Sequence, residues 1–154
     1  MTDAPRAEHH RKSNEIQMPY INVKVTAKPD RALSARIAAT VSDLTKTHLR
    51  KDPTITAVAV DYVDPHHWFA GGRSLAEQGT NTFWLDIKVV DGTNTKQELA
   101  AYLAAIHAAM ADLLGGIHAE SYVLVHEVPA AAYGFGGQTQ EYRLIAGKLA
   151  RAAA

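Results

Sequence analysis

The sequence contains no cysteine, no excess of charge of either sign and no long apolar run. The lack of cysteine excludes disulfide bonds and thiol chemistry and is typical of a reducing compartment, so we expect a cytoplasmic protein. Sixteen basic and sixteen acidic residues balance each other, which predicts no nucleic-acid partner. No apolar run approaches the roughly 18 residues that a membrane span requires, so we expect no membrane partner.

The two ends of the chain differ from its middle. Residues 1–17 are polar and lack a periodic pattern, so we predict residues 1–18 to be a disordered leader or a misassigned start. Residues 144–154 carry Leu144, Ile145 and Leu149 at roughly helical spacing and end in alanines, which predicts a tail or a short helix. The domain between them is expected over residues 19–143.

The middle of the chain nearly repeats itself. The segment PYINVKV that starts at Pro19 aligns with FWLDIKV at Phe83, and WFAGG at Trp68 aligns with YGFGG at Tyr133. In each copy an alternating apolar segment, typical of a strand, precedes a stretch with helical spacing and a second β-branched segment. We therefore predict two units, 19–79 and 80–143.

Each unit is long enough for a right-handed crossover that joins two parallel strands. The predicted fold is thus α/β: a two-layer sandwich of two tandem β-α-β units, with a four-stranded core sheet and two helices on one face. The other sheet face still carries apolar side chains, and oligomerisation is an economical way to cover them.

Met18-Pro19 at the start of a strand, the duplicated units and the two Gly-Gly turns together resemble the tautomerase superfamily. The resemblance extends over about residues 19–143. Some of its members, such as 4-oxalocrotonate tautomerase, carry one unit, whereas those similar to cis-3-chloroacrylic acid dehalogenase carry two fused units and form trimers. The resemblance therefore implies a homotrimer and an isomerase that needs no cofactor.

In that family the nitrogen of an N-terminal proline acts as base or acid, and the resemblance assigns this role to Pro19. A proline nitrogen inside the chain is an amide whose lone pair is delocalised, so it is no base. A free α-amino group has an ordinary pKa of about 8, which an apolar pocket lowers further. We therefore expect the functional chain to begin at Pro19, after removal of Met18.

Other site residues follow from the resemblance and from local sequence. Glu127 matches the position at which the dehalogenase-like members place a carboxylate that handles water. The arginines that the family uses are absent from Lys28-Pro29, from Thr56-Ala57 and from the turn at 90–93. Arg73, directly after Gly71-Gly72, is the remaining candidate to bind a substrate carboxylate. Trp68 and Tyr133 occupy equivalent places in the two units, where they either pack or contact substrate.

Adjacent histidines on an extended chain point to opposite sides, so His66 and His67 do not predict a metal site.

The leading hypothesis is a tautomerase that moves a proton in a small enol or keto acid, with a small carboxylic acid as substrate. One alternative is a hydratase or dehalogenase of a small unsaturated acid that uses Pro19 and Glu127. Another is a non-catalytic oligomeric scaffold in which Pro19 has no chemical role.

Overall fold

A computed structural model of the chain describes residues 18–154. Of the leader predicted over residues 1–18, residues 1–17 lie outside the described residues.

The first unit follows the predicted order of strand, helix and strand. Strand β1 spans Tyr20–Val25, helix α1 spans Arg31–Leu49 and strand β2 spans Ala57–Tyr62. Asp30 begins α1 as its N-cap, with a side-chain oxygen that accepts a hydrogen bond from the Ala32 amide. A short hairpin of β3 (Phe69–Ala70) and β4 (Arg73–Ser74) follows, and the one-turn helix α2 (Leu75–Gln78) ends the unit.

The second unit repeats this order with a longer final helix. It contains β5 (Phe83–Val90), α3 (Lys96–Leu114), β6 (Tyr122–Val128), the hairpin of β7 (Gly134–Phe135) and β8 (Gln138–Thr139), and α4 (Gln140–Ala152). Thr95 and Glu98 form a capping box that begins α3. The predicted domain boundary at residue 143 falls inside α4, so one continuous helix joins the predicted domain and tail.

The four long strands form one sheet in the order β2-β1-β5-β6. The strands within each unit are parallel, whereas β1 and β5 pair in antiparallel fashion, with Tyr20 opposite Lys88 and Val25 opposite Phe83. The two units are therefore related by a reversal of strand direction. As a result, the first residue of β1 and the last residues of β5 and β6 lie at the same end of the sheet.

The core lies between the sheet and helices α1 and α3. The buried side chains of β1 and β5 alternate, which places them on the helix face of the sheet: Ile21, Val23, Val25, Phe83, Leu85, Ile87 and Val89. The confirmed fold is the predicted α/β sandwich. Burial of these side chains contributes about 1.5–3 kcal/mol each to the free energy of folding.

The buried faces of the two helices differ in part from what the spacing of their apolar residues predicts. In α1 that spacing selects Leu33, Ile37, Val41, Leu44 and His48, whereas the buried residues are Leu33, Ile37, Val41, Thr45 and Leu49. Thr45 is tolerated in the core because its hydroxyl lies 2.7 Å from the Val41 carbonyl and 3.0 Å from the Tyr102 hydroxyl. On α3, Leu103 is exposed, and Tyr102, Ile106, Met110 and Leu114 are the buried residues.

Polar contacts join the end of α1 to the beginning of α3. Arg50 forms an ion pair with Glu98, and the buried Lys51 donates a hydrogen bond of 3.0 Å to the Thr93 hydroxyl. The Asn94 side chain donates one of 3.1 Å to the Leu49 carbonyl. These contacts connect the two units at the end of the sheet where β1 begins.

Across residues 18–154, the helices are too short or too polar to cross a membrane.

Candidate active site at the start of the first strand

Pro19 lies directly before β1 and is buried. Its carbonyl accepts a hydrogen bond of 3.2 Å from the Ala57 amide, which extends the pairing of β1 with β2 by one residue. Pro19 is peptide-linked to Met18, so its nitrogen is an amide in this form of the chain. The position of the proline ring is thus fixed by the sheet.

Tyr133 approaches Pro19 from the second unit. Its hydroxyl donates a hydrogen bond of 3.3 Å to the carbonyl of Met18, the group attached to the Pro19 nitrogen. Two covalent bonds separate that oxygen from the nitrogen, so the hydroxyl lies at most about 6 Å from the Pro19 nitrogen. Burial raises the pKa of Tyr133 to about 12, which keeps the hydroxyl protonated at neutral pH. Of the predicted site residues, Tyr133 is the one that the structure brings directly to Pro19.

The β7-β8 hairpin holds Tyr133 in this place. The Tyr133 carbonyl accepts a hydrogen bond of 2.9 Å from the Gln140 amide, which ties the residue before the hairpin to the start of α4. A cavity of about 260 Å³ is bounded by the hairpin and the residues before it: Ala131, Ala132, Tyr133, Gly134, Gly137, Gln138 and Thr139. The hairpin therefore offers an open space beside the tyrosine.

Glu127 lies at the same end of the sheet as Pro19 but two strands away. Tyr20 pairs with Lys88, so the next residue pair towards this end is Pro19 and Val89, and Val89 in turn pairs with Glu127. Two strand spacings separate the backbone of Pro19 from that of Glu127, a distance of about 10 Å. The carboxylate is exposed. It shares a row with Pro19, with Val89 between them.

Trp68 and Arg73 lie at the opposite end of the sheet within the same chain. Their hairpin follows β2, whose last residue pairs with Val25 at the far end of β1. Because β1 has six residues, that end lies about 20 Å from Pro19. Arg73 is exposed and lies 3.6 Å from the carboxylate of Glu77. One copy of the chain therefore does not bring Trp68 or Arg73 to Pro19.

Two residues at the Pro19 end were not predicted as site residues. Arg143 on α4 places its guanidinium 3.6 Å from the centre of the Phe135 ring and donates a hydrogen bond of 3.1 Å to the Phe135 carbonyl. Gln140, one helical turn earlier, is buried. Their alignment with Gln78 and Leu75 of the first unit was a usable signal, because both substitutions add a hydrogen-bond donor.

His66 and His67 form a short turn rather than an extended segment. Asp64 accepts hydrogen bonds from the backbone amide of His66 and, at 2.7 Å, from its ring nitrogen Nδ1. These hydrogen bonds lower the pKa of Asp64. Within residues 18–154, no three histidine, aspartate or glutamate side chains come together in a way that could hold a metal ion.

The chain is similar to several solved structures. Native fused 4-OT is 22% identical with a TM-score of 0.68, and the matched region covers 80% of this chain and 97% of that one. Pt0534 inactivated by 2-oxo-3-pentynoate is 16% identical, with a TM-score of 0.70 and the same coverage. The F6 fused 4-OT, an asymmetric trimer, is 15% identical with a TM-score of 0.70, again with 80% and 97% covered. At these identities the likeness concerns the fold.

No curated protein matches the chain at a significant level. A family model described as tautomerase enzyme matches it twice, over residues 19–78 and 84–142. The first match begins at Pro19, and the two together cover most of the chain, one unit each. By these matches and by its duplicated β-α-β architecture, the chain belongs to the tautomerase family.

Proposed function

We propose that the protein is a tautomerase that moves a proton between oxygen and carbon in a small enol or keto acid. The observation that carries the proposal is the placement of the half-buried Tyr133 hydroxyl beside the bond that joins Met18 to Pro19. Removal of Met18 converts the Pro19 nitrogen from an amide into a secondary amine next to a neutral hydroxyl donor. A base and a donor at one site are the two groups that a keto–enol transfer requires.

In the proposed reaction the Pro19 amine takes the proton from the enol hydroxyl and delivers it to the adjacent carbon. The atoms balance because the proton leaves one atom of the substrate and joins another, with the amine unchanged at the end. The Tyr133 hydroxyl donates a hydrogen bond to the oxygen on which negative charge develops. Its raised pKa, about 12, supports this role because the hydroxyl retains its proton across the neutral range.

The substrate class is supported by one similar structure. Pt0534 is inactivated by 2-oxo-3-pentynoate, which is a 2-oxo acid. We infer that a 2-oxo or 2-hydroxy-2-enoic acid also fits this chain.

A homotrimer is the assembly that we propose. The F6 fused 4-OT of the same fold is a trimer. The sheet face away from the helices leaves Tyr20, Tyr122 and Leu124 largely exposed, and contact with other copies would cover them. Trp68 and Arg73 can then serve a Pro19 site only across an interface between copies, since their hairpin lies at the other end of the sheet.

Hydration or dehalogenation of an unsaturated acid is the second candidate. The position of Glu127 favours it, because its carboxylate is exposed at the same end of the sheet and in the same row as Pro19, with about 10 Å between the two backbones. In that reaction Glu127 would activate water and Pro19 would donate a proton. Release of halide from a 3-haloacrylate tests it.

The proposal is tested with phenylenolpyruvate and 2-hydroxymuconate, whose ketonisation is followed by absorbance. Protein made from the native gene is first weighed by intact-mass spectrometry. We expect a mass that begins at Pro19, tautomerisation of at least one substrate, and loss of activity in Pro19→Ala. A chain that retains Met18 and is equally active with and without the proline contradicts the amine mechanism. A chain that is inactive on both substrates and on the haloacrylate supports a scaffold.

A further inference from the structure

The two hairpins of the duplicated chain differ in how their polar groups are paired. In the first unit the Gln78 amide donates hydrogen bonds to the carbonyls of Ala70 and Arg73, at 2.9 and 3.1 Å, and its oxygen lies 2.8 Å from the His118 ring. All parts of this side chain are therefore paired. This hairpin is closed by its own polar contacts.

In the second unit Arg143 occupies the place of Gln78, at the same offset of 65 residues that relates the two hairpins. Its Nη2 donates a hydrogen bond to the Phe135 carbonyl, which corresponds to the contact between Gln78 and Ala70. The remaining contacts of Gln78 have no counterpart. Within residues 18–154 the buried Nε of Arg143 has no acceptor, and the guanidinium forms no ion pair.

A second difference between the two units, directly after the same hairpin, also adds a hydrogen-bond donor. Leu75, which is buried in the first unit, is replaced by Gln140, which is equally buried. Among the described residues the Gln140 side-chain nitrogen lacks an acceptor. Unpaired buried donors destabilise a fold, so two of them three residues apart on one helix need a reason. Residues at this spacing lie on the same helix face, with Cβ atoms about 6 Å apart.

Both unpaired donors lie at the Pro19 end of the sheet. The backbone N–H of Gln140 donates a hydrogen bond to the Tyr133 carbonyl, and the Tyr133 hydroxyl in turn donates one to the Met18 carbonyl. Arg143 lies against the turn of the same hairpin, where its Nη2 would be 3.0 Å from a Cβ atom added at Gly136. The positive charge and the spare N–H groups are thus carried by the first turn of α4, directly after the hairpin that holds the tyrosine and bounds the cavity.

We propose that Arg143 and Gln140 bind the carboxylate of the substrate acid, and this inference rests on the proposed tautomerase function. A guanidinium with free N–H groups pairs with a carboxylate more strongly than any neutral donor does. The side-chain amide of Gln140 adds a second donor, one helical turn before Arg143. The pair supplies, within one chain, an arginine in place of those that are absent from Lys28-Pro29, from Thr56-Ala57 and from the turn after β5.

The experiment compares a charged with an uncharged substrate. Arg143→Gln restores the residue of the first unit, Arg143→Lys keeps the charge, and Arg151→Gln is a matched control in the last turn of the same helix. With phenylenolpyruvate we expect Arg143→Gln to raise KM about 10- to 100-fold, the loss of one charge-assisted pair, with little change in kcat. With the methyl ester, KM should be unchanged. Arg143→Lys should recover part of the loss, and Arg151→Gln should behave as wild type.

Gln140→Leu distinguishes a binding role from a structural one. It removes an unpaired buried donor and restores the apolar residue of the first unit, so we expect a higher melting temperature together with a several-fold higher KM for the acid. A structural role would lower stability and leave the discrimination between acid and ester unaltered. Equal effects of Arg143→Gln on both substrates overturn the inference.

Failure of the proposed function remains distinguishable. Calorimetric titration with phenylpyruvate, the keto product of the proposed reaction, measures affinity separately from turnover. A wild-type protein that does not tautomerise the substrate, but binds phenylpyruvate at least tenfold more tightly than Arg143→Gln does, contradicts the tautomerase proposal and supports the binding pair. Equal affinities of wild type and variant overturn the pair, whatever the activity.

Discussion

The hydroxyl of Tyr133 and the carbonyl of Met18 are joined by a hydrogen bond of 3.3 Å, although 115 residues separate them. The contact arises because β1 and β5 are antiparallel while β5 and β6 are parallel. The hairpin after β6 therefore lies at the end of the sheet where β1 begins. The second unit thereby places a hydroxyl donor next to Pro19 of the first. Only the first of the two units begins with proline, so the proposed base belongs to that unit alone.

Replacement of Tyr133 by phenylalanine should lower kcat by about 100-fold, the effect expected when one donor to a developing oxyanion is removed. The substitution keeps the ring and its packing, so the melting temperature should change little. Tyr142→Phe is the control, since its side chain is 57% exposed on α4. Steady-state kinetics with phenylenolpyruvate measure the effect, and an unchanged kcat in Tyr133→Phe would contradict the proposed role.

Lys51 should make the stability of the protein depend on pH. Burial is the main cause that lowers its pKa to about 8; the charge of Arg50 lowers it further and Glu98 opposes them. Between pH 8 and the ordinary lysine value of 10.5, the unfolded chain therefore holds a proton that the folded chain has released. The free energy of unfolding should thus rise with pH across this window.

Lys51→Met should remove that rise, and Lys46→Met, at an exposed position of α1, should keep it. Urea unfolding of the three proteins at pH 7, 8, 9 and 10 measures the slopes. Because other groups titrate equally in all three, the difference between slopes isolates Lys51. Parallel slopes in wild type and Lys51→Met would show that the lysine titrates normally in the folded state.

Strand and helix positions followed from the sequence where the pattern is local. The alternation of Ile21, Val23 and Val25 predicts β1 and the face that it buries. The burial of Thr45 in place of Leu44 did not follow, because it depends on a partner, Tyr102, that lies 57 residues away. Local hydrophobicity ranks leucine above threonine, and only the tertiary hydrogen bond reverses that order.

The relative direction of the two units was not predicted from the sequence. Two β-α-β units can join through parallel or antiparallel central strands, and the local strand and helix patterns of the sequence are the same in both cases. The antiparallel pairing of Tyr20 with Lys88 determines which hairpin lies next to Pro19. It brings Tyr133 to the proline and leaves Trp68 at the far end, a distinction that their equivalent places in the repeat could not reveal.

The buried pair of Thr45 and Tyr102 should respond unequally to removal of either hydroxyl. Thr45 lies 2.7 Å from the Val41 carbonyl and 3.0 Å from the Tyr102 hydroxyl, so Tyr102→Phe removes one donor and leaves the threonine bonded. Its cost should be about 1 kcal/mol. Thr45→Val strands the tyrosine hydroxyl in the core and should cost about 2 kcal/mol. Chemical denaturation measures both, and the reverse order would show that the tyrosine hydroxyl does not depend on Thr45 for its hydrogen bond.

Gly134 should tolerate no side chain, because a Cβ atom there would lie 1.9 Å from the Gln138 carbonyl oxygen of the paired strand. The equivalent residue of the first hairpin is Phe69, so the duplicated fold itself does not demand glycine. Gly134→Ala must therefore separate β7 from β8 and displace the neighbouring Tyr133. We expect lower stability and a drop in kcat close to that of Tyr133→Phe.

Gly147→Ala is the matched control for this substitution. Its Cβ atom would meet only the Arg151 side chain, at 3.8 Å, in the interior of α4. Alanine restricts the unfolded chain more than glycine does, so this variant should gain about 0.5–1 kcal/mol with unchanged kinetics. The thermal unfolding midpoints of the two variants should shift in opposite directions, and only Gly134→Ala should lose steady-state rate. A Gly134→Ala protein with wild-type kcat would show that the position of Tyr133 does not depend on the close approach of β7 to β8, and would weaken its assignment to the site.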